Sequence, residues 1–292
     1  MLLVTGANGQ LAGWVIRNLL KLTDVKNIAV CSRTTDSAFA DELRGRGVDV
    51  REGDFDRPET LPAAMAGITK VLIIPTYSPN DVRLSQNLNA LHAAKAAGVR
   101  HVVYPSFINA SATSLADHSF EVHYPTEQAI LGSGLTYTIL RHALYADITL
   151  GDIDVTLATG VFRRPGGKAA SAYVAREDLG LSAATVMVRD GHENKIYTET
   201  MTRTYSGADI AALMSEVFEK PVRYESVGAE DWAAFMTREW RVPAALSKSA
   251  TGTMKAVENG EFDVVTTDYQ TIVGHPPRDF RQFLVDFKKS RG

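Results

Sequence analysis

Only one cysteine, Cys31, stands in the 292 residues. A lone thiol closes no internal disulfide, and at the end of an apolar strand it reads as packing and not chemistry. Long apolar runs are also missing. No stretch approaches the roughly 20 residues needed to cross a bilayer, and Met1-Leu2-Leu3 reads as the start of a strand and not as a signal peptide. The expected compartment is the cytoplasm, with no membrane partner. Neither sign of charge dominates: 31 Lys and Arg against 34 Asp and Glu leave a net charge of −3. There is no basic stripe of the kind that direct nucleic-acid binding needs. His101, His118, His192 and His275 lie too far apart for a recognisable metal site, so no metal is expected. Repeats and low-complexity linkers are absent. What remains is a globular chain, 45% hydrophobic, able to hold one large domain or two intertwined ones.

What is present begins at once. The apolar strand Met1 to Thr5 runs into Gly6-Ala7-Asn8-Gly9-Gln10-Leu11-Ala12 and then into a helix with the apolar period Leu11, Val15, Ile16, Leu19, Leu20. Small residues at 6, 9 and 12 let the backbone turn sharply and approach a pyrophosphate, while the free N–H groups of the helix start face its charge. Glycine in a strand-to-helix turn has a purely steric use as well. Here the turn follows a strand, opens an amphipathic helix and is followed at βαβ distance by a second strand, Asn27 to Cys31, so a dinucleotide is expected.

That second strand ends Cys31-Ser32-Arg33, with no carboxylate before Asp36. A ribose diol is held by an acidic side chain at this place, whereas a 2′-phosphate needs positive charge and donors. Arg33 offers a guanidinium fork and Ser32 a hydroxyl. NADPH is therefore expected as the cofactor, with NADH less favoured.

Strands expected at Val48 to Glu52, Val71 to Pro75, His101 to Ser106 and Thr136 to Arg141 alternate with helices at Ser37 to Arg44, Thr60 to Ala66, Asp81 to Ala97 and Tyr124 to Leu131. The alternation predicts an α/β fold, a Rossmann-type doubly wound parallel sheet whose ligands meet the carboxyl ends of the strands. Residues 1–145 are expected to form the nucleotide-binding domain, with 176–200 returning to it. Residues 146–292 are expected to be mainly a smaller C-terminal substrate lid. In that part a strand is expected near Asp154 to Ala158, a turn at Pro165-Gly166-Gly167, a helix over Arg176 to Val188, a strand over Lys195 to Thr200, a helix over Ser206 to Phe218, a strand over Val222 to Ser226 and helix through Glu230 to Glu258.

The segments TGANGQLAGWVI, GDFDRPETL, AAKAAGVRHVVYPS, HYPTEQAI, YTILRHALYADI, GHENKIY and GHPPRDFRQFL, in this order, resemble the NmrA-like atypical short-chain dehydrogenases over essentially the whole chain. The resemblance is strongest to reductases of quinones and triarylmethane dyes. The family also holds regulators that bind the nucleotide without turning it over. The resemblance implies that Gly6, Asn8, Gly9, Gln10 and Leu11 meet the pyrophosphate and Arg33 the 2′-phosphate. Asp54 and Phe55 would flank the adenine, and Pro75 and Thr76 would pass the nicotinamide ribose. Ala12 stands where the family usually has a third glycine, and Pro75 where serine is more common.

A standard short-chain dehydrogenase protonates a carbonyl with a Tyr-x-x-x-Lys pair on one helix face. No such pair lies on a cofactor-facing helix here, and its register is filled by His123-Tyr124-Pro125-Thr126-Glu127. Quinones and cationic conjugated dyes take hydride directly into a π system, so holding donor and acceptor together and excluding water supplies much of the catalysis. The expected partner is thus a small planar aromatic acceptor. A quinone also takes up a proton, for which His123, Tyr124 or water are candidates; His123 on a helix surface is the bland alternative. Tyr104, Pro105 and Ser106 are expected beside the nicotinamide, with Ser106 in the region of the standard catalytic serine or simply bonded to cofactor or backbone. Arg141 is expected to be a buried structural charge. His142, which replaces the family's usual asparagine, Tyr145, Tyr104 and Trp232 are candidates to touch substrate. The helical spacing of Trp232, Phe235 and Trp240 is otherwise that of core packing. The oligomeric state stays open, a homodimer included.

Overall fold

Short apolar, β-branched runs and amphipathic helices alternate along the first half of the chain, and the computed structural model, which describes residues 1–110 and 121–292, bears out that alternation. His118 lies outside the described residues. The elements are β1 (Leu2–Thr5), α1 (Gln10–Leu22), β2 (Ile28–Ser32), α2 (Ala38–Gly45), β3 (Asp49–Glu52), α3 (Leu61–Met65), β4 (Lys70–Leu72), α4 (Asn80–Ala96), β5 (His101–Phe107), α5 (His123–Gly132) and β6 (Thr136–His142). There follow β7 (Leu144–Tyr145), α6 (Ile153–Thr159), β8 (Val161–Arg164), β9 (Ala170–Ser171), β10 (Tyr173–Val174), α7 (Arg176–Val188) and β11 (Lys195–Glu199). The chain closes with β12 (Tyr205–Ser206), α8 (Gly207–Phe218), β13 (Arg223–Ser226), α9 (Ala229–Glu239), α10 (Ala244–Glu258), α11 (Asp268–Val273) and α12 (Phe280–Ser290).

The central sheet has seven strands in the order β11-β6-β5-β4-β1-β2-β3. Its β1–β2, β2–β3, β1–β4 and β4–β5 pairings are parallel. The order reverses between β1 and β4, which opens a crevice outside their carboxyl ends, the place where such sheets bind ligands. Those two ends are tied together, since the Ile74 N–H donates to Thr5 Oγ1 at 2.9 Å. This bond, and that of the Ile73 N–H to the Val103 carbonyl at 2.9 Å, replace regular ladder pairing in the stretch expected to extend β4 to Pro75.

The chain divides into two units. The first comprises Met1–Ser106, Val122–Arg141 and Arg176–Tyr197, and the second Phe107–Glu121, His142–Ala175 and Thr198–Gly292, about half of the residues. In the first, Leu3, Ala29, Val71, Val102 and Tyr104 from the strands meet Leu61, Met65, Leu91 and Ile130 from the helices in one apolar core. Cys31 is fully buried in it, and burial pushes its thiol up to about 12, a packing residue as expected. Against the same sheet α1 packs on α7, and α3 and α5 each pack on α4.

The α1–α7 contact depends on a missing side chain. A Cβ built on Gly180 would lie 2.4 Å from Trp14 Cβ and 2.9 Å from the Trp14 carbonyl carbon. Gly180→Ala should therefore destabilise by about 1–3 kcal/mol through overpacking, although alanine is the better helix former. Denaturant titration of the two proteins checks this, and an alanine variant as stable as the wild type would refute the close approach.

The second unit has its own core, in which Phe162, Met201, Tyr205, Met214, Phe280 and Leu284 meet. Two local expectations fail in it. Residues 154–158, expected as a strand, lie in α6. Ile153 and Thr156, one helical turn apart, are its buried residues, and Gly160 ends it at φ 69°. The helix expected through 230–258 breaks into α9 and α10. Arg241 sits at φ 56°, and Pro243 occupies the N-cap of α10, where its lack of an N–H costs nothing.

Candidate cofactor and catalytic site

The turn after β1 is shaped for an anion. Gly6 lies at φ 66° with open space where a side chain would stand, and its carbonyl accepts the Gly9 N–H at 2.8 Å. A Cβ on Gly9 would crowd that carbonyl at 3.1 Å. Gly9 is the N-cap of α1, no side chain caps the helix and no acidic residue lies in its first turn. The start of α1 thus presents backbone N–H groups and the positive end of the helix dipole without an internal counter-charge. Gly6, Asn8, Gly9 and Gln10 are exposed, whereas the Leu11 side chain is buried and leaves only its backbone to face a ligand.

Asn8 does more than line the turn. Its Nδ2 donates to Ser32 Oγ at 2.9 Å and to the Thr34 carbonyl at 3.0 Å, and its Oδ1 accepts from Ser37 Oγ at 3.3 Å. One side chain therefore fastens the loop after β2 to the phosphate turn and sets the place of Arg33, which is exposed. Ser32 Oγ also accepts from the Thr34 N–H at 3.4 Å. A hydroxyl accepting twice keeps its hydrogen to donate outward. An uncapped helix start, a glycine turn, a hydroxyl donor and an exposed guanidinium form a donor set that fits a dinucleotide carrying a 2′-phosphate.

Along the remaining strand ends, Asp54 Oδ1 accepts from the Asp56 N–H at 3.0 Å and its Oδ2 faces Arg57 Nε at 3.4 Å. Phe55 points into the core, with its carbonyl held by Asn89 Nδ2 at 2.9 Å. Pro75 and Thr76 are partly exposed, and the Thr76 hydroxyl bonds Gln86, which in turn donates to both carboxylate oxygens of Asp56 at 2.8 and 2.9 Å.

The residues expected to act beside a nicotinamide are mostly engaged internally. Tyr104 is wholly buried, its Oη 2.9 Å from His123 Nδ1 and accepting from Asn87 Nδ2 at 3.2 Å, and burial pushes its pKa upward. This corrects its assignment to substrate, because a ring with no exposed surface has none to offer. His123 is likewise buried, not set on a helix surface, while Tyr124 is partly exposed and Pro105 buried. The Ser106 hydroxyl donates to Glu127 Oε1. Arg141 grips the same carboxylate as a fork, Nε to Oε1 at 3.0 Å and Nη2 to Oε2 at 2.6 Å. Glu127, fully buried on α5, thus stands with a matched cation on β6. Four residues after His123, α5 carries a buried carboxylate whose charge an arginine balances.

In the second unit, His142 is fully buried, with Nε2 3.4 Å from Glu199 Oε2 and Nδ1 3.2 Å from Tyr145 Oη. The backbone reinforces the pair, since the Ala143 N–H donates to the Glu199 carbonyl at 3.1 Å. Burial lowers His142 to about 3, so its imidazole is neutral. Tyr145 is partly exposed. Trp232, by contrast, stacks on Phe235 at 4.9 Å, meets Trp240 edge-on at 5.3 Å and covers the Arg164 guanidinium at 4.4 Å. With only 5% of its surface exposed it is a packing residue, which corrects its assignment to substrate. No cluster of metal ligands occurs among the described residues, and none of their helices is long and apolar enough to cross a membrane.

The NmrA-like family model matches residues 1–269. The chain belongs to the NmrA-like family. It is 32% identical to quinone oxidoreductase 2 of Escherichia coli (strain K12) over 278 residues, 94% of each chain. It is 28% identical to the NAD(P)H azoreductase of Xenophilus azovorans over 97% of this chain and 96% of that one. The crystal structure of Citrobacter sp. triphenylmethane reductase complexed with NADP(H) superimposes with a TM-score of 0.89 at 31% identity, covering 98% of this chain and 99% of that one.

Within this NmrA-like protein, Asn87, Thr126 and Glu199 are the polar residues that sequence reasoning passed over. The first two had a usable signal, because Asn87 shares a helix face with Leu84, Ala90 and Leu91, and Thr126 one with His123. Glu199 had none, its partner being far away in the chain. Burial of His142 has a consequence for acid stability. The unfolded chain protonates this histidine near 6.5, the folded one only near 3, so its contribution is complete above pH 6.5 and is lost as pH falls toward 3. The slope is at most about 1.4 kcal/mol per pH unit. Urea titrations at pH 7 and pH 5 should show a smaller acid loss for His142→Asn than for wild type; equal losses would contradict the neutral imidazole.

Proposed function

We propose that this NmrA-like protein is an NADPH-dependent reductase that passes hydride directly to a planar conjugated acceptor, a quinone or a triarylmethane-type cation. Its relatives include NAD(P)H-dependent oxidoreductases, and this chain is one. The observation that carries the acceptor class is the Ser106–Glu127–Arg141 cluster: where a carbonyl reductase has the lysine that activates its phenol, this chain has a buried carboxylate closed by an arginine.

Bound NADPH supplies the hydride. The backbone of Gly6 to Leu11 holds the pyrophosphate, with Asn8 fixing the turn, and Ser32 and Arg33 hold the 2′-phosphate. Asp54 and the Phe55 backbone flank the adenine, and Pro75 and Thr76 run past the nicotinamide ribose. Pro105 and Ser106, closing β5, form a rigid wall with no proton to give. Proximity and water exclusion then do the work that a strong acid does for simple carbonyls.

The test is NADPH and NADH consumption against quinones, cationic dyes and simple carbonyls. Turnover of quinones or dyes but not of simple carbonyls supports the reading. Silence across all acceptors, with NADP⁺ binding intact, would replace it with a nucleotide-sensing regulator that acts through a protein partner. Arg33→Ala should weaken NADPH by about 1.5–3 kcal/mol, the range of hydrogen bonds to charged groups, and leave NADH nearly untouched. Fluorescence titration of both nucleotides measures the difference, and equal losses would remove Arg33 from the 2′-phosphate.

A further inference from the structure

Two loops at the carboxyl ends of the central sheet meet on one side chain of α4. Gln86 is only 3% exposed, although glutamine is mostly a surface residue. Its Nε2 donates to both carboxylate oxygens of Asp56, at 2.8 and 2.9 Å, and its Oε1 accepts from the Thr76 hydroxyl. Asp56 follows β3 and Thr76 follows β4, with β1 and β2 between those strands in the sheet. One buried amide therefore fixes the spacing of two distant strand ends. All of these residues lie in the first unit.

The charge at one end sets the direction of every bond. A carboxylate accepts and does not donate, so the NH2 end of the Gln86 amide must face Asp56 and its carbonyl end must face Thr76. That carbonyl in turn only accepts. The single Thr76 hydroxyl hydrogen is thus committed to Gln86, and Ser78 Oγ, 3.2 Å away, is left to donate to Thr76 Oγ1. Thr76 is partly exposed and keeps one lone pair. It is an acceptor for a hydroxyl, not a donor to an anion.

Strand order says which part of a dinucleotide passes there. The glycine turn follows β1, Arg33 follows β2 on one side of it, and β4 lies on the other. A dinucleotide with its pyrophosphate at the start of α1 and its 2′-phosphate at Arg33 lays its nicotinamide half past the end of β4. The Ile74 N–H bond to Thr5 Oγ1 holds that end beside the turn. A ribose brings hydroxyl donors to it.

We infer that Gln86 is a positioning residue for the nicotinamide ribose: held in one sense by Asp56, it makes the Thr76 oxygen an acceptor for a ribose hydroxyl, given the dinucleotide reading of the crevice on which this rests.

Calorimetry with three ligands tests it: NADPH, NADH and adenosine 2′,5′-bisphosphate, which carries the adenine and the 2′-phosphate but no nicotinamide ribose. The proteins are wild type, Gln86→Leu, Thr76→Val and the double variant. Asp56 is exposed and hydrates when released, so Gln86→Leu strands no charge. That variant should weaken NADPH and NADH alike by roughly three- to tenfold, the size of one hydrogen bond, and leave the bisphosphate within about twofold. Thr76→Val, which keeps the volume at a partly exposed position, should give the same pattern and keeps the test open if Gln86→Leu fails to fold. The double variant should lose no more than the larger single loss, because both act through one oxygen. Losses that add, an equal loss for the bisphosphate, or undiminished NADPH binding in either single variant would each overturn the role of Gln86. An amide at position 56 can face Gln86 either way round, so Asp56→Asn should reproduce part of the NADPH loss; none at all would overturn the part given to Asp56. Wild-type protein that binds none of the three ligands would refute the dinucleotide reading itself, a failure separate from these.

Discussion

Replacing Arg141 with methionine should destabilise the first unit by about 3–5 kcal/mol, the usual cost of removing one partner from a buried ion pair. Glu127 has no exposed surface, and both of its oxygens are engaged by the Arg141 fork at 3.0 and 2.6 Å, with Ser106 adding a third bond to Oε1. Without the guanidinium the carboxylate keeps only a hydroxyl, which does not balance its charge. Most of the cost is this stranded charge and not the loss of a favourable contact, since burying both ions is itself expensive. The double replacement Glu127→Gln with Arg141→Met should therefore recover a large part of the loss. A denaturant double-mutant cycle measures it. If the two single losses simply add in the double variant, the residues do not act as a pair.

The same cluster shows what could be read from the chain and what could not. The His-x-x-x-Glu spacing on α5 was visible, as was the absence of a lysine four residues after a tyrosine, and both suggested direct hydride transfer. That Ser106 from β5 and Arg141 from β6 close on Glu127 was not visible. Each lies on a different element, and only the side-by-side order of the strands brings them together. The glycine turn between β1 and α1 was legible as a strand-turn-helix unit, because glycine spacing, strand and helix period are local signals and agree with one another. Helix α7 was likewise legible, its expected span matching Arg176–Val188. Residues 154–158 were not, since a five-residue run with two β-branched side chains has no period long enough to separate strand from helix, and Gly160 decided the matter by ending a helical turn. The break between α9 and α10 was marked by Pro243, which the helical pattern on either side obscured.

Trp232 shows how a correct local pattern can still mislead about function, and the residue beneath it carries the other large effect. Arg164→Met should cost the second unit about 3–5 kcal/mol, again the penalty of stranding a buried partner. Arg164 reaches Asp152 with both terminal nitrogens, at 2.5 and 3.1 Å, and the two side chains are only 11% and 9% exposed. Its guanidinium carbon lies over the Phe162 ring at 4.7 Å, over Trp232 at 4.4 Å and over Trp240 at 5.7 Å, so the charge meets three aromatic faces. Methionine fills much of the volume between the rings but leaves Asp152 without its fork. Arg164→Lys separates the contributions: a single ammonium keeps the charge opposite Asp152 yet cannot stack flat or donate in parallel. The lysine variant should recover only part of the loss, read by urea titration followed through tryptophan fluorescence. Full recovery by lysine would mean that charge alone holds the site, and the aromatic enclosure of Trp232 would then lose its structural reason.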